Sequence, residues 1–284
     1  MVNIFIRGVF LYLFLTLSLY GTNIETSTSV VSNAQTFVVT VDSEDVEFEA
    51  LYVTYQNHRY PFVDNFYALV PTSYYATPKK TKAVVVYKES GKKKYKSIPI
   101  TIIQGKYKVE KLSVDPSRAN ISIKDRKRIK RESKEAKKLY SHFSSDRYWS
   151  EPFIRPLNSK ITSRFGNRRL FNGMLKSYHS GTDFRASTGT PIVSINDGMV
   201  VYVGDRFFAG NTVVVDHGEG IFTSYSHLSK FSVNKGDIVF KGDIVGLAGA
   251  TGRVTGPHLH FGVNIHGVKV DPMNFLEVIS LIAY

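Results

Sequence analysis

The sequence predicts a mainly β protein: a small N-terminal antiparallel β-sandwich-like module, a basic helical linker, and a C-terminal antiparallel β-sheet domain. Three observations carry this. Short runs of β-branched and aromatic residues alternate with polar ones in both halves of the chain. Seventeen of the 21 glycines lie between Gly166 and Gly267, at intervals of roughly ten residues that suit tight turns between short strands. Between the halves, Ser122 to Glu151 contains neither glycine nor proline, and Lys124 to Lys138 is dominated by Lys and Arg. At 284 residues, with 43% hydrophobic side chains, the chain is long and apolar enough for two ordinary cores.

Taken in order, residues 1–21 read as a signal peptide. Arg7 supplies the positive charge, and Val9 to Leu19 is an apolar run of about a dozen residues, short of the ~20 that span a membrane. An uncleaved anchor is the other reading. Residues 22–116 form the β module. After a Ser/Thr/Asn-rich start, Phe37–Val41, Glu47–Tyr55, Lys82–Tyr87 and Ile98–Ile103 alternate as strands, with turn residues such as Glu89-Ser-Gly-Lys92 between them. Residues 117–149 are the helical linker. Ser122-Ile-Lys-Asp125 has the spacing of a capping box, and Ile129, Ala136, Leu139, Tyr140 and Phe143 give one narrow apolar stripe. Residues 150–284 form the second β domain, with strands at 190–195, 198–203, 211–216, 222–226 and 258–264.

Charge and histidine are distributed unevenly. The chain carries a net +13, made of −5 over residues 1–75, +15 over 76–138 and +3 over 139–284. Seven of the eight histidines fall in that last, nearly neutral part. The absence of cysteine excludes disulfide scaffolds, thiolate metal sites, thiol nucleophiles and a lipidated N-terminal cysteine. The basic segment lacks aromatic residues interleaved between Lys124 and Lys138, which argues against nucleic acid.

The chemistry is concentrated in 82 residues. His179-Ser-Gly-Thr-Asp183 places an imidazole and a carboxylate at an even spacing, hence on one face of a strand. His258-Leu-His260 places two imidazoles on one face, and His227 ends another strand pattern. A catalytic zinc needs three protein ligands and one open position. His179, Asp183 and one histidine of the 258/260 pair would supply them, leaving two imidazoles beside the metal for proton transfer.

Residues 154–273 resemble the peptidase core of the M23 family, the lysostaphin- and LytM-type zinc endopeptidases of bacterial peptidoglycan. The resemblance runs in order through Ile161-Thr-Ser-Arg-Phe-Gly-Asn-Arg168, His179-Ser-Gly-Thr-Asp-Phe184, Gly189-Thr-Pro-Ile192 and Asp197-Gly-Met-Val200. It continues through Gly210-Asn-Thr-Val213, Asp216-His-Gly218, Tyr225-Ser-His-Leu228, Thr251-Gly-Arg-Val-Thr-Gly-Pro-His-Leu-His-Phe261 and Val270-Asp-Pro272. It implies one Zn2+ per chain on His179, Asp183 and His260, with His227 and His258 as the catalytic pair. It leaves the division of roles between those two open. His217 and His266 match no ligand position and read as structural, and His142 is a bystander at the linker's end. Arg164, Arg168 and Tyr225 are candidate substrate-binding residues. The chain departs from the family pattern in a longer stretch between Arg168 and His179 and in Phe207-Phe208-Ala209 before Gly210.

The resemblance implies a hydrolase of peptidoglycan peptide stems, exported to the periplasm or cell envelope, where it has membrane or wall-protein partners and no nucleic acid. Its N-terminal module and linker resemble those of periplasmic cell-shape members, which favours a D,D-endopeptidase acting on D-Ala–diaminopimelate cross-links. Gly–Gly endopeptidase or D,D-carboxypeptidase activity is the alternative within the family. A non-catalytic wall-binding activator of another hydrolase is the alternative of a different class. A regulatory role for the N-terminal module, covering the groove, is also among the family's implications.

Overall fold

The computed structural model describes residues 22–45, 47–112, 122–171 and 174–282. The signal-peptide expectation for residues 1–21 lies outside these residues. Among the described residues, no helix is long and apolar enough to cross a membrane.

The N-terminal module contains β1 (Asn23–Thr26), β2 (Val30–Ser32), β3 (Thr36–Asp42), β4 (Glu49–Tyr55), β5 (His58–Pro61), β6 (Tyr67–Pro71), β7 (Lys79–Glu89), β8 (Lys92–Ile103) and β9 (Val109–Leu112). A three-stranded sheet, β1-β3-β6, faces a five-stranded sheet, β2-β8-β7-β4-β5. Strand alternation sends Phe37, Val39, Val53, Val85, Ile98, Ile100 and Ile102 inward to one apolar cluster. The expected sandwich is present, with one departure: β2 pairs with β8 in parallel. The β7–β8 hairpin runs from Lys79↔Ile102 to Glu89↔Lys92, longer at both ends than the alternating core predicts. Its added length is lysine-rich and lies beyond the core that made the hydrophobic pattern legible.

The linker helix α1 spans Ile123–Tyr140. Ser122 caps it, the hydroxyl accepting from Asp125 N–H as the capping spacing predicts. None of its residues is fully buried; Ile129, Ala136, Leu139 and Tyr140 are half-buried along the predicted stripe. Arg128 donates to the Asp205 carboxylate at 2.7 Å, and Glu132 accepts from the Phe207 amide at 2.9 Å, so polar contacts do much of the docking.

The C-terminal domain contains β10 (Ile161–Ser163), β11 (Arg168–Phe171), β12 (Met174–Tyr178), β13 (Thr182–Arg185), β14 (Pro191–Val193), β15 (Gly198–Arg206), β16 (Gly210–Asp216), β17 (Ile221–Phe231), β18 (Ile238–Val239), β19 (Ile244–Ala248), β20 (His258–Ile265), β21 (Val268–Val270) and helix α2 (Pro272–Ile279). Its main sheet is ordered β10-β13-β20-β17-β16-β15-β18, with antiparallel pairing throughout, and β14, β19 and β21 attached off that path. Phe184, Val213, Val215, Tyr225, Leu259 and Phe261 are fully buried in its core.

The two modules are joined more intimately than the boundary at residue 116 suggests. β9 pairs in parallel with β11, Glu110 opposite Arg169. Val38, Tyr67 and Leu69 of the N-terminal module belong to the C-terminal core cluster. Tyr74 stacks on Tyr178 at 3.8 Å with ring planes 7° apart. Buried Glu219 accepts from the Tyr67 hydroxyl and, at 2.7 Å, from Arg147 Nε. Burial raises the Glu219 carboxyl above its ordinary value, against the opposing hydrogen bonds from Tyr67 and Arg147.

Candidate metal centre and its groove

The centre is assembled by strand register. In the β13–β20 ladder Asp183 lies opposite His260 and Arg185 opposite His258; in the β17–β20 ladder Ser226 lies opposite His260. His179 precedes β13 and is fixed by two backbone bonds, its carbonyl accepting from Gly166 and its amide donating to Asn167, both at 2.8 Å. His227 sits within β17, where the pairing register slips and the backbone takes φ 65°, a left-handed value that costs a non-glycine residue strain. The surrounding sheet holds it there, with its amide donating to Ala209 O at 2.9 Å.

Three ligand atoms converge: His179 Nε2 lies 2.9 Å from Asp183 Oδ1 and 3.0 Å from His260 Nδ1, and His260 Nδ1 lies 2.7 Å from Asp183 Oδ1. His179 Nδ1 donates to the Arg164 carbonyl at 2.9 Å, also close to Ser163 Oγ, which leaves Nε2 as a bare lone pair. A lone pair held this close to a carboxylate oxygen and a second imidazole calls for a cation among them. The spacing suits one: adjacent ligand atoms around a tetrahedral zinc with ~2.0 Å bonds lie about 3.3 Å apart. Among the described residues this is the group of His, Asp and Glu that could hold a metal, with all three atoms within 4.8 Å of one another. Two imidazoles and one carboxylate are the donor types zinc takes in hydrolytic sites.

Two more imidazoles adjoin this centre. The His227 ring centroid lies 4.8 Å from that of His258 and 5.7 Å from that of His260. His227 Nδ1 donates to the Thr251 carbonyl and His258 Nδ1 to the Gly256 carbonyl, both at 2.9 Å, so each ring keeps Nε2 for other work. His258 Nε2 stands 3.8 Å from Asp183 Oδ2. Burial, then the neighbouring His260 and His258, push the His227 imidazole down to about 3. Burial likewise takes His260 to about 4, against the pull of Asp183. Burial opposes ionisation of Asp183, yet the two imidazoles against its Oδ1 hold its carboxyl well below the usual range. His260 is thus held neutral beside the Asp183 carboxylate, the protonation state that metal ligation requires.

The structure therefore brings together His179, Asp183, His260, His258 and His227. It separates the remaining candidates. Tyr225 is a correction: its side chain is fully buried in the core, its hydroxyl accepting from Ile195 N–H at 3.0 Å, because its strand alternation points it away from the centre. Arg164 contributes its carbonyl to His179, while its side chain and that of Arg168 are exposed. His217 is buried between the Asp197 carbonyl and Thr223, and His266 packs against Tyr60 and Phe143, both away from the centre.

Sequence reasoning missed Arg169 and Glu110. Arg169 Nη2 donates to Asp183 Oδ2 at 3.2 Å, and Glu110 accepts from Ser163 Oγ at 2.7 Å and from Asn167 at 2.8 Å. The longer stretch between Arg168 and His179 contains the β11–β12 hairpin that presents Arg169. Gly181, inside His179-Ser-Gly-Thr-Asp183, has a role that spacing alone does not reveal. A Cβ there would stand 2.5 Å from the Phe261 carbonyl and 2.7 Å from the His260 ring, so only glycine leaves that imidazole its place.

Residues 177–272 match Peptidase family M23. The peptidoglycan DD-endopeptidase ShyA of Vibrio cholerae is 46% identical over 121 residues, 42% of this chain and 28% of that protein. The DD-carboxypeptidase/endopeptidase Mpg of Neisseria meningitidis is 40% identical over 124 residues, 43% of this chain and 28% of that protein. The chain thus spans less than a third of the length of these relatives. A solved Pseudomonas aeruginosa protein assigned to peptidase M23 is 28% identical, with a TM-score of 0.64 over 86% of this chain and 94% of its own. That likeness extends beyond the matched segment into the N-terminal module. The C-terminal domain thus carries a peptidase family M23 domain over residues 177–272.

Proposed function

We propose that the chain is a zinc-dependent peptidoglycan hydrolase that cleaves peptide cross-links, a D,D-endopeptidase acting on D-Ala–diaminopimelate bonds in cell-wall remodelling and shape. The observation that carries this reading is the convergence of His179 Nε2, Asp183 Oδ1 and His260 Nδ1, with the His227 and His258 rings alongside. The DD-endopeptidase and DD-carboxypeptidase/endopeptidase relatives support the bond class.

His179, Asp183 and His260 would hold one zinc. Bound there, zinc supplies Lewis acidity toward the scissile carbonyl and lowers the pKa of a water. The chain's own residues do the rest. Arg164 O and Ser163 orient His179; Arg169 steadies the second oxygen of Asp183. His227 and His258, each anchored through Nδ1 to a carbonyl, take the proton at Nε2 and pass it to the leaving amine. The exposed side chains of Arg164 and Arg168 are the candidates for substrate carboxylates. The division at residues 116 and 149, a signal peptide or uncleaved anchor over residues 1–21, action in the periplasm or cell envelope and a regulatory N-terminal module belong to the same proposal. The two apolar clusters support the division, and the Glu110–Arg169 contact at 3.5 Å supports regulation.

The test is metal analysis followed by mass spectrometry of muropeptide products. One zinc per chain and separation of D-Ala–diaminopimelate cross-linked dimers are expected, with both lost in Asp183→Asn. Stoichiometric zinc without cleavage of any muropeptide would leave the wall-binding activator instead.

A further inference from the structure

Strand alternation in the N-terminal module leaves the outer face of the five-stranded sheet without a packed partner sheet among the described residues. The inward positions of β7 and β8 feed the sandwich core, and the outward positions present Lys80, Lys82, Lys93 and Tyr95, the last 64% exposed. The face continues across β4 and β5. Arg59 lies 4.8 Å over the Tyr52 ring, and Lys93 stands 5.9 Å from both the Tyr52 and Tyr95 rings. These contacts run across the sheet as a ladder of alternating cations and aromatic rings. Among the described residues, Glu49 is the one acid at an outward position of these strands, and Lys88 pairs with it at 2.6 Å. Uncompensated positive charge spread over a broad sheet suits an extended anionic surface.

The path of the chain says which surface. Thr22, the first described residue, donates to Glu89 at 2.5 Å, and Lys96 donates to the Ile24 carbonyl at 3.0 Å. The polypeptide therefore enters the module beside the β7–β8 hairpin. The apolar run Val9–Leu19 ends three residues earlier, and three residues reach at most about 10 Å. Retained as the uncleaved anchor, that run and the basic, tyrosine-bearing face beside it are two signals for one target. Lysine stems bury along a lipid interface while the ammonium groups meet phosphates, and tyrosine rings settle at headgroup depth.

We infer that the outer face of the five-stranded sheet docks on a bilayer of anionic phospholipid. It acts independently of the metal centre, which is built on a separate sheet of the C-terminal domain.

The experiment is co-sedimentation of the full chain with vesicles of phosphatidylcholine alone or with one third phosphatidylglycerol. The anionic vesicles are expected to bind at least about tenfold tighter, with the preference falling as salt rises. The variant Arg59→Gln/Lys80→Gln/Lys82→Gln/Lys93→Gln should lose that preference while keeping its melting temperature and its turnover of soluble muropeptides. Asp183→Asn should keep the preference, which separates this inference from the catalytic one. Equal binding to both vesicles, or a preference that survives in the fourfold variant, overturns it. So does a variant that loses binding to isolated sacculi but not to anionic vesicles, since the face would then belong to the wall polymer.

Discussion

The two modules are built from the same kind of antiparallel sheet and differ in what they bury. The N-terminal module closes an apolar cluster and sends its charges outward; its buried polar residues are Asn33, Thr36 and Thr72. The C-terminal domain buries His179, Asp183, His217, Glu219 and His227 in and around its core. A sheet interior is a low-dielectric place in which an unpaired polar group is costly, so each of these residues must have a partner. Chemistry follows from that pairing. Where the partners are carbonyls and a carboxylate converging on one point, a metal centre results; where they are a tyrosine and an arginine of another segment, a joint between modules results.

This contrast can be broken at three places. The largest effect is expected at His227. His227→Ala leaves the three ligand atoms in place, so zinc content should stay at one per chain while kcat falls by about 10²–10⁴-fold, as loss of a proton-transfer group does. His217→Gln, in an equally buried ring, should leave kcat within a few fold and lower the melting temperature. Equal losses of kcat in the two variants would erase the distinction between site and core histidines.

The next effect is in pH. Burial lowers His217 and His266 to about 4 from an ordinary 6.5. The unfolded chain takes up these protons first as pH falls, so the stability from the two neutral rings is complete above about 6.5 and drains away down to about 4. The slope is on the order of 1 kcal/mol per pH unit for each ring. Thermal melting between pH 7 and 4 should show this fall, and His217→Gln should flatten it.

The smallest effect is at the joint. Tyr67→Phe removes the hydroxyl that serves buried Glu219, and the cost should be about 1–3 kcal/mol of unfolding free energy in denaturant titration. Zinc content should not change. A loss of metal in Tyr67→Phe would mean that the joint and the centre are one cooperative unit.

Much of this architecture was legible in the sequence because it is periodic. Alternation marked β3, β4, β16 and β20, and the Ser122 cap marked the start of α1, since these signals act within a few residues. His179, Asp183, His260, His258 and His227 stood out as rare residue types at strand spacing. What stayed hidden depends on pairing between distant segments. Glu110 reaches Ser163 and Asn167 only because β9 joins β11 in parallel, and no local pattern encodes that choice. Tyr225 misled because it is two residues from His227 in sequence. The register slip and left-handed backbone at His227 break the alternation that would otherwise have put both on one face.

Gly181 bears on how such a protein can diversify. Any side chain there meets the Phe261 carbonyl and the His260 ring, and a one-residue slip of β13 against β20 would move Asp183 away from His260. The floor of the centre is therefore closed to mutational drift in both composition and register. The β11–β12 hairpin and the Phe207–Ala209 turn lie outside that ladder. Heritable change in what the groove accepts has to be written into those walls, while the floor passes unaltered from one variant to the next.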